Sequence, residues 1–589
     1  MDATRTKPGD VRDDDGIALI MVMGIAMVLL LVMATAMSFS VSSVVKATTD
    51  QNWNGAMSAA YAGVAEYESK LANNNAYVQY GNPAAAFSTG STVALPTGMQ
   101  VNPAFGIGTT GTWASVAGSG GTASFRYEVD NSKYSSSGVL RIRSTGRVGN
   151  ETRSIVANLR QQGFIDFLYF TDYEIQDPNQ SGASVTNCVK YGWAGRPAPG
   201  SGSYSGSAPC SDIGFGNGDI INGPMHSNDR IRICAATFTG IVTTGNNPAS
   251  GLRYLKEDSN GNGCTGQSLA YGVAYSPVVA MPSTNSQMKK ETRTDLATDV
   301  PLPGCLYTGA TQIVFNSNGT MTVRSPWTKF TNVTGDPASA GVNIPTKCGP
   351  VSTATGGLGS PGGATIPVLN NNLVFVQNVP GVGDPNYWPT TGSGSYPTLG
   401  YTSTSCTSSN GIGYPMSGEV VSSVSTSYGC RNGDAFVQGA LHGAMTIATE
   451  NYLYVTGDIT YTDSSSDILG LVGQNAVWVW NPVNSSNVDL LGNNRQINAA
   501  ILSVAHTFQV QNYDRGGSQG TLTVNGAISQ KFRGIVRSGT NGYTKAYSYD
   551  QRFKYIAPPK FLSPVATTYG VSVLVEVQSA FTTAGAVIP

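Results

Sequence analysis

Ile17 to Val45 is a run of 29 residues without one charged side chain, directly behind a short charged leader. Its first 21 residues, to Met37, are almost wholly apolar. A helix needs about 20 such residues to cross the roughly 30 Å of hydrocarbon in a bilayer. Only a backbone that satisfies its own hydrogen bonds is tolerated there, so the run predicts a transmembrane helix. An ordinary secretory signal has a shorter apolar core, with small residues at a cleavage site behind it. Here the core is long, and the small residue, Gly16, stands in front of it.

Past this run, Lys46 to Leu71 is rich in helix formers. Met57, Ala60, Val64, Tyr67 and Leu71 recur there at helical spacing, which predicts a continuation of the helix with one apolar face. The Asn73-Asn74-Asn75 run predicts its end. A glycine followed at once by a long apolar helix resembles the leader of type IV pilins and type II secretion pseudopilins. That resemblance implies cleavage between Gly16 and Ile17 by a prepilin peptidase, methylation of the new terminus, and transfer of the helix from the membrane into a filament core. The stretch AMSAAYAGVAEYESKL, with its Ala62-Gly63-Val64 step, is similar to the PilX-type N-terminal family.

Two features depart from the common pilin pattern. The leader holds Arg5, Lys7 and Arg12 but also Asp2, Asp10, Asp13, Asp14 and Asp15, so its positive-inside signal is weak. Most pilins carry Glu at the fifth residue after the cut, and this chain has Met21. A buried Glu is costly unless paired, and in pilins it pairs with the amino terminus of a neighbour. A subunit at the very tip has no neighbour above it, so Met21 leans towards a tip or initiating role.

Composition narrows the remainder. Only 12% of the 589 residues are charged, against about 25% in ordinary domains. With 71 glycines and abundant Ser, Thr and Asn, this fits an extracellular all-β protein. The net charge of −1 and the lack of a long basic run give nucleic-acid binding no electrostatic support. The eight cysteines, Cys188, Cys210, Cys234, Cys264, Cys305, Cys348, Cys406 and Cys430, read as a disulfide framework in a translocated segment. Sequential pairs are expected, because loops of that size close at little entropic cost. No Cys-x-x-Cys motif and no His at ligand spacing from a Cys supports a zinc site.

Three alternating segments, Ser124 to Val129, Val139 to Val148 and Thr152 to Arg160, predict strands, with Gly149-Asn150 as a hairpin turn. A helix followed by an antiparallel meander is the ordinary pilin plan. From Phe215 the pattern changes to short strands broken by Gly and Asn. It recurs in GALHGAMTIATENYLYVTGDITY, LGLVGQNAVWVW, AAILSVAHTFQVQNY and GTLTVNGAISQKFRGIV. Such runs stack naturally as rungs of a parallel β-helix, each burying its apolar side on the next. The period is irregular, so a β-sandwich fits as well. Together with GDIINGPMHSND and GYTKAYSYDQRFKYIAPPKFL, these segments resemble large PilX-type pilin-like proteins of bacteria.

The expected organisation is a leader (1–16), a hydrophobic helix (17–75), a pilin-like β-meander (76–163) and the first part of a β-helix-like head (164–260). A cysteine-bearing, loop-rich insertion (261–436) and the second part of the head (437–589) complete it. The fold class is mainly β: a long transmembrane α-helix, a small antiparallel meander and a large β-rich head of parallel β-helix type.

Few residues suggest chemistry. Four acids in the aromatic segment FIDFLYFTDYEIQDP (Asp166, Asp172, Glu174 and Asp177) read as solvated acids at a hinge. Of three histidines, His226 in HSND invites a catalytic or metal role, but a polar ladder or turn role fits its setting better. Gly516-Gly517-Ser518-Gln519-Gly520 matches the nucleophile-elbow string without the strand–turn–helix context or a later His. Asp258, Asn260 and Asn262, with Gly263 at the sixth position, open like a calcium loop. Leu269 occupies the twelfth position, where a bidentate Glu belongs, so a polar turn is the competing expectation to a structural calcium.

The expectation is therefore a minor pilin-like subunit with no enzymatic activity and no cofactor beyond that calcium. It is single-pass in the cytoplasmic membrane with the C-terminal part outside, and at the cell surface or pilus after processing. The resemblance implies other pilins, the assembly machinery and a prepilin peptidase as partners, with a surface glycan or protein as ligand of the head. A membrane-tethered carbohydrate-active β-helix enzyme and a passive single-span envelope protein are the alternatives.

Overall fold

The computed structural model describes residues 15–97, 101–107, 111–134, 139–161, 163–198, 208–391, 397, 409–421, 428–564 and 569–588. Two compact units emerge. One comprises Met1–Ser132, Leu140–Leu159 and Val571–Pro589; the other comprises Lys133–Val139 and Arg160–Gly570.

The first unit is built on one uninterrupted helix, α1 (Asp15–Asn73), which ends where the asparagine run begins. At 1.5 Å per residue its 59 residues span about 88 Å. Its later part packs on an antiparallel sheet formed by β1 (Ala114–Ser115), β2 (Ala123–Asp130), β3 (Val139–Val148) and β4 (Glu151–Gln161). The Gly149 turn between β3 and β4 has φ 55°, a left-handed conformation that glycine adopts without strain. Ala56, Ala60, Val64, Tyr67 and Leu71 are buried. The approach is unusually close: a Cβ added at Gly146 on β3 would collide with the α1 backbone at the Ala56 carbonyl and the Ala60 amide.

The fifth strand of this sheet, Tyr569–Val577, comes from the carboxy-terminal end and lies beside β4. The expected assignment of everything from 437 to 589 to the head is corrected here: YGVSVLVEV extends the meander, leaving the head as a segment inserted between two neighbouring strands.

The second unit is a stack of parallel coils. One ladder runs through ten strands: Cys305–Thr308, Asn372–Gln377, Ala444–Thr449, Ile468–Gly473, residues 500–503, residues 528–532, β5 (Tyr169–Tyr173), Met225–Ser227, Val242–Thr244 and Val273–Tyr275. Every pairing along it is parallel. Register aligns Cys305, Val374, Ile447, Leu471, Ile501, Ile528, Tyr169, Met225, Val242 and Val273 into one continuous interior column. A second ladder begins with Thr311–Asn316 and passes through Ala435–Leu441 and Leu453–Tyr461 to Val477–Val479 and Phe508–Val510. A third runs from the ends of those longer strands to Asn541–Tyr549, Ile220–Asn222, Thr237–Phe238 and Ser268–Leu269. The three enclose the main apolar core. The expectation of a mainly β chain with a β-rich head holds.

The chain does not follow the stack in order. It enters midway at β5, advances to Val273–Tyr275 at one end, and restarts at Cys305–Thr308 at the other. Met288, in the connecting segment, packs with Leu306, Phe375, Ala448, Val472 and Leu502 on the outer side of the first ladder. The late strands then arrive beside the early ones, 528–532 on β5 and Asn541–Tyr549 on Ile220–Asn222. Residues 261–436 are therefore not simply a loop-rich insertion. They end one face of the stack and begin the other, and Thr311–Asn316 has the alternating burial of a half-covered strand. Their strands are short and separated by Gly-, Ser- and Thr-rich loops, which hides the pattern in the sequence.

Disulfides tie the loops that leave this stack. Cys188 pairs with Cys210, Cys234 with Cys264 and Cys305 with Cys348, at Cα separations of 5.4, 5.2 and 5.6 Å. Cys430 is also disulfide-bonded; Cys406 lies outside the described residues.

The seam between early and late segments is held by buried polar pairs. Arg533 and Glu174, each 1% exposed, meet at 2.7 Å. Gln530 Nε2 donates to the Tyr169 hydroxyl at 2.7 Å, Lys545 pairs with Asp219 at 2.8 Å, and His506 Nδ1 pairs with Asp177. Removing one partner of a buried pair strands the other without solvent. Glu174→Gln is expected to destabilise the head by about 3–5 kcal/mol, read as a lowered unfolding midpoint of the detergent-solubilised chain. In the first unit, Gly146→Ala is expected to cost about 1–3 kcal/mol by overpacking and to open the α1–sheet contact to limited proteolysis.

Candidate functional site

The first half of α1 carries the clearest functional signature. Large side chains from Leu19 to Val45 are exposed, with Leu29 at 51% and Phe39 at 75% marking the range. The most apolar 18-residue window has mean hydropathy 2.7 and is 0% buried. Such a surface has no stable place in water and demands cover from lipid or from other apolar helices. Gly16 and Ile17 lie within α1. Met21 is 68% exposed on the uncovered part. The helix is thus long and apolar enough to cross a membrane, and it continues without a break into the half that packs on β2 and β3.

The histidines occupy three different settings. His226 lies on the outer side of the first ladder, aligned with Phe170 before it and Thr243 after it. Both ring nitrogens are engaged, Nδ1 with Thr243 Oγ1 at 2.9 Å and Nε2 with Asn228 Oδ1 at 3.0 Å. Phe167 and Phe170 flank the ring at 5.3 and 5.8 Å. This is a polar rung in a stacked column, and burial pushes its pKa down to about 4. His506 is committed to Asp177. His442 is half exposed, with Nδ1 3.3 Å from the buried Asp467 carboxylate. It lines a cavity of about 310 Å³ with Asn370, Asn371 and Ser466. Ser466 Oγ donates to Asp463 at 3.0 Å, so the hydroxyl is engaged by a carboxylate of its own turn.

The acids of the aromatic segment are not solvated. Asp172, Glu174 and Asp177 are all buried. Asp172 accepts from Tyr191 and Asn228 at 2.8 Å each, and burial raises its pKa. Arg196 bridges Asp229 and Asp212, and Arg232 bridges Asp212 and Glu257. The chain of alternating charges satisfies itself, as buried polar networks must. Sequence reasoning missed it because its members come from four loops, and the hinge expectation for Asp172 to Asp177 is corrected accordingly.

The Asp258 loop spends its carboxylate locally. Oδ1 accepts from the Asn260 and Asn262 amides at 2.9 and 2.8 Å, and Oδ2 from Asn262 Nδ2 at 3.0 Å. Those bonds, the Asn262 side chain first, lower the Asp258 pKa. The geometry is a polar turn, and among the described residues no group of three His, Cys, Asp or Glu side chains is arranged to hold a metal ion. Ser518 begins the 15-residue strand Ser518–Phe532 and has no helix behind it, unlike a nucleophile elbow.

No protein-family model matches this chain, and no curated protein matches it. A solved structure, the competence-associated pilin ComZ from Thermus thermophilus, is 12% identical over 89% of this chain and 97% of that chain, with a TM-score of 0.23. That score defines no common fold. The class is set by the molecule itself: a mainly β protein carrying a membrane-length apolar helix.

His226 yields a pH test. Its folded pKa lies below the ordinary histidine value of about 6.5, so the folded state binds its proton less readily than the unfolded chain. The associated stability is present above pH 6.5 and is lost as pH falls towards 4, by about 3 kcal/mol in all. Asp434, pushed up to about 7 by burial, acts in the opposite sense, so the comparison must be differential. The stability of wild type minus that of His226→Gln is expected to fall between pH 6.5 and 4 and to be flat above.

Proposed function

We propose that this chain is a large minor pilin-like subunit of a type IV pilus or related pseudopilus. It is held by α1 first in the cytoplasmic membrane and then in the filament, and displays its β-rich head at the tip or cell surface for assembly, adhesion or surface recognition. The head acts by binding rather than by catalysis. The observation that carries the proposal is the continuity of α1: one unbroken helix has an apolar half without cover and a second half locked on an antiparallel sheet.

A plain anchor needs only the first half. A helix that must leave the membrane and pack among other helices while holding its own domain needs both, joined rigidly. Gly16 immediately before the apolar run supplies the processing point, and Met21 supplies a side chain that needs no partner in an apolar core. The two engaged ring nitrogens of His226 support a structural role for that residue.

Sequencing the mature amino terminus is the direct test. A chain beginning at Ile17 with a methylated amine is the expected result. An uncut Met1, or cleavage behind the apolar core, sinks the proposal.

A further inference from the structure

Beside the hairpin of Thr311–Asn316 with Thr320–Arg324, a cavity of about 470 Å³ opens that neither the anchor nor the stack uses. That volume falls among small-ligand sites, about 300–1,000 Å³. Trp388 forms one wall. Its Nε1 donates to the Trp327 carbonyl at 2.7 Å, and its ring meets the fully buried Trp327 edge-on at 5.6 Å. The indole is therefore fixed before any ligand arrives.

Lys329 also lines the cavity, with Nζ 4.3 Å from the Trp388 ring centroid. It donates to the Tyr387 carbonyl at 2.5 Å. Among the described residues no carboxylate lies within 4.0 Å of this ammonium, and burial lowers its pKa. The nearby Asp384 is occupied, accepting from the Asn386 amide at 2.8 Å and facing Lys289 at 4.0 Å. Arg431 adds positive charge behind the indole, donating to the Trp388 carbonyl at 2.8 Å. A partly buried cation without a counter-charge favours an anion in the space it faces. Exposed Ser352 and Thr353 put hydroxyls on the rim.

We infer that this cavity binds a carboxylated pyranose, the hexuronate unit of an acidic polysaccharide. The apolar face of the sugar lies on the Trp388 indole, its carboxylate on Lys329, and its hydroxyls on Ser352 and Thr353. A chair with C–H groups on one face suits an immobilised indole once the Lys329 ammonium, 4.3 Å from the ring centroid, turns off that face to meet the sugar carboxylate. An acidic peptide would satisfy the charge but leave the indole face and the rim hydroxyls unused. The inference deepens the display proposal by naming what the head holds, and it rests on that proposal only for its biological setting. Sugar binding by the purified chain is read independently of where the leader is cut.

The test is calorimetry on the full detergent-solubilised chain with trigalacturonate, galactotriose and a Glu-rich peptide. Trigalacturonate is expected to bind, more weakly as salt rises. Lys329→Gln is expected to weaken it about tenfold or more, and to weaken galactotriose, which has no carboxylate, much less. The double change Ser352→Ala, Thr353→Ala is expected to weaken both sugars. No trigalacturonate binding, equal affinity for charged and neutral sugars, an unchanged Lys329→Gln variant, or preference for the peptide would each overturn the inference.

Discussion

The parallel pairing of residues 528–532 with β5 is the contact on which the head depends. Two chain segments, each an incomplete stack, become one continuous ladder through it. Backbone pairing alone accepts many registers, because every strand offers the same donors and acceptors. The side chains remove that freedom. Arg533 with Glu174 and Lys545 with Asp219 match only in the observed alignment. A slip along the strand leaves the buried Arg533 and Glu174 without each other. These pairs contribute selectivity more than stability, since burying charge largely offsets its own attraction.

The opposite logic governs α1. Where it packs on the sheet, its contact residues are small: Ala56, Ala59 and Ala60 are buried, and Gly63 faces Ser144 and Phe125. Backbone approaches backbone, and the apolar surface there is used up. Towards the amino terminus the residues become Leu, Ile, Met and Val, and none of the described residues covers them. One helix thus changes from an element that completes a domain to one that needs surroundings, with no break between.

Legibility followed the range of the interactions. The helix, its end at the asparagine run and the meander with its Gly149 turn were all readable, since each rests on residues within a few turns of one another. The later stacked strands were readable as short apolar runs, and Ile447, Leu471, Ile501 and Ile528 sit in the interior as such runs imply. Their order was hidden. Nothing local in β5 shows that it pairs with a strand about 360 residues later. Thr311–Asn316 forms a local hairpin with Thr320–Arg324, but its place in the stack was hidden because its other partner strand begins at Ala435. The Asp172–Asp177 acids looked solvated because their partners, Tyr191 and Asn228, Arg533 and His506, lie outside the segment.

The strand Tyr569–Val577 has a consequence for how the head is retained. Because it returns to the sheet beside β4, the head is joined to the helix-bearing unit by two covalent connections rather than one. A protease that nicks either connection leaves the head attached through the other, with the terminal strand still hydrogen-bonded in its sheet. Shedding requires two cuts. A chain with the same parts laid end to end would lose its head at the first.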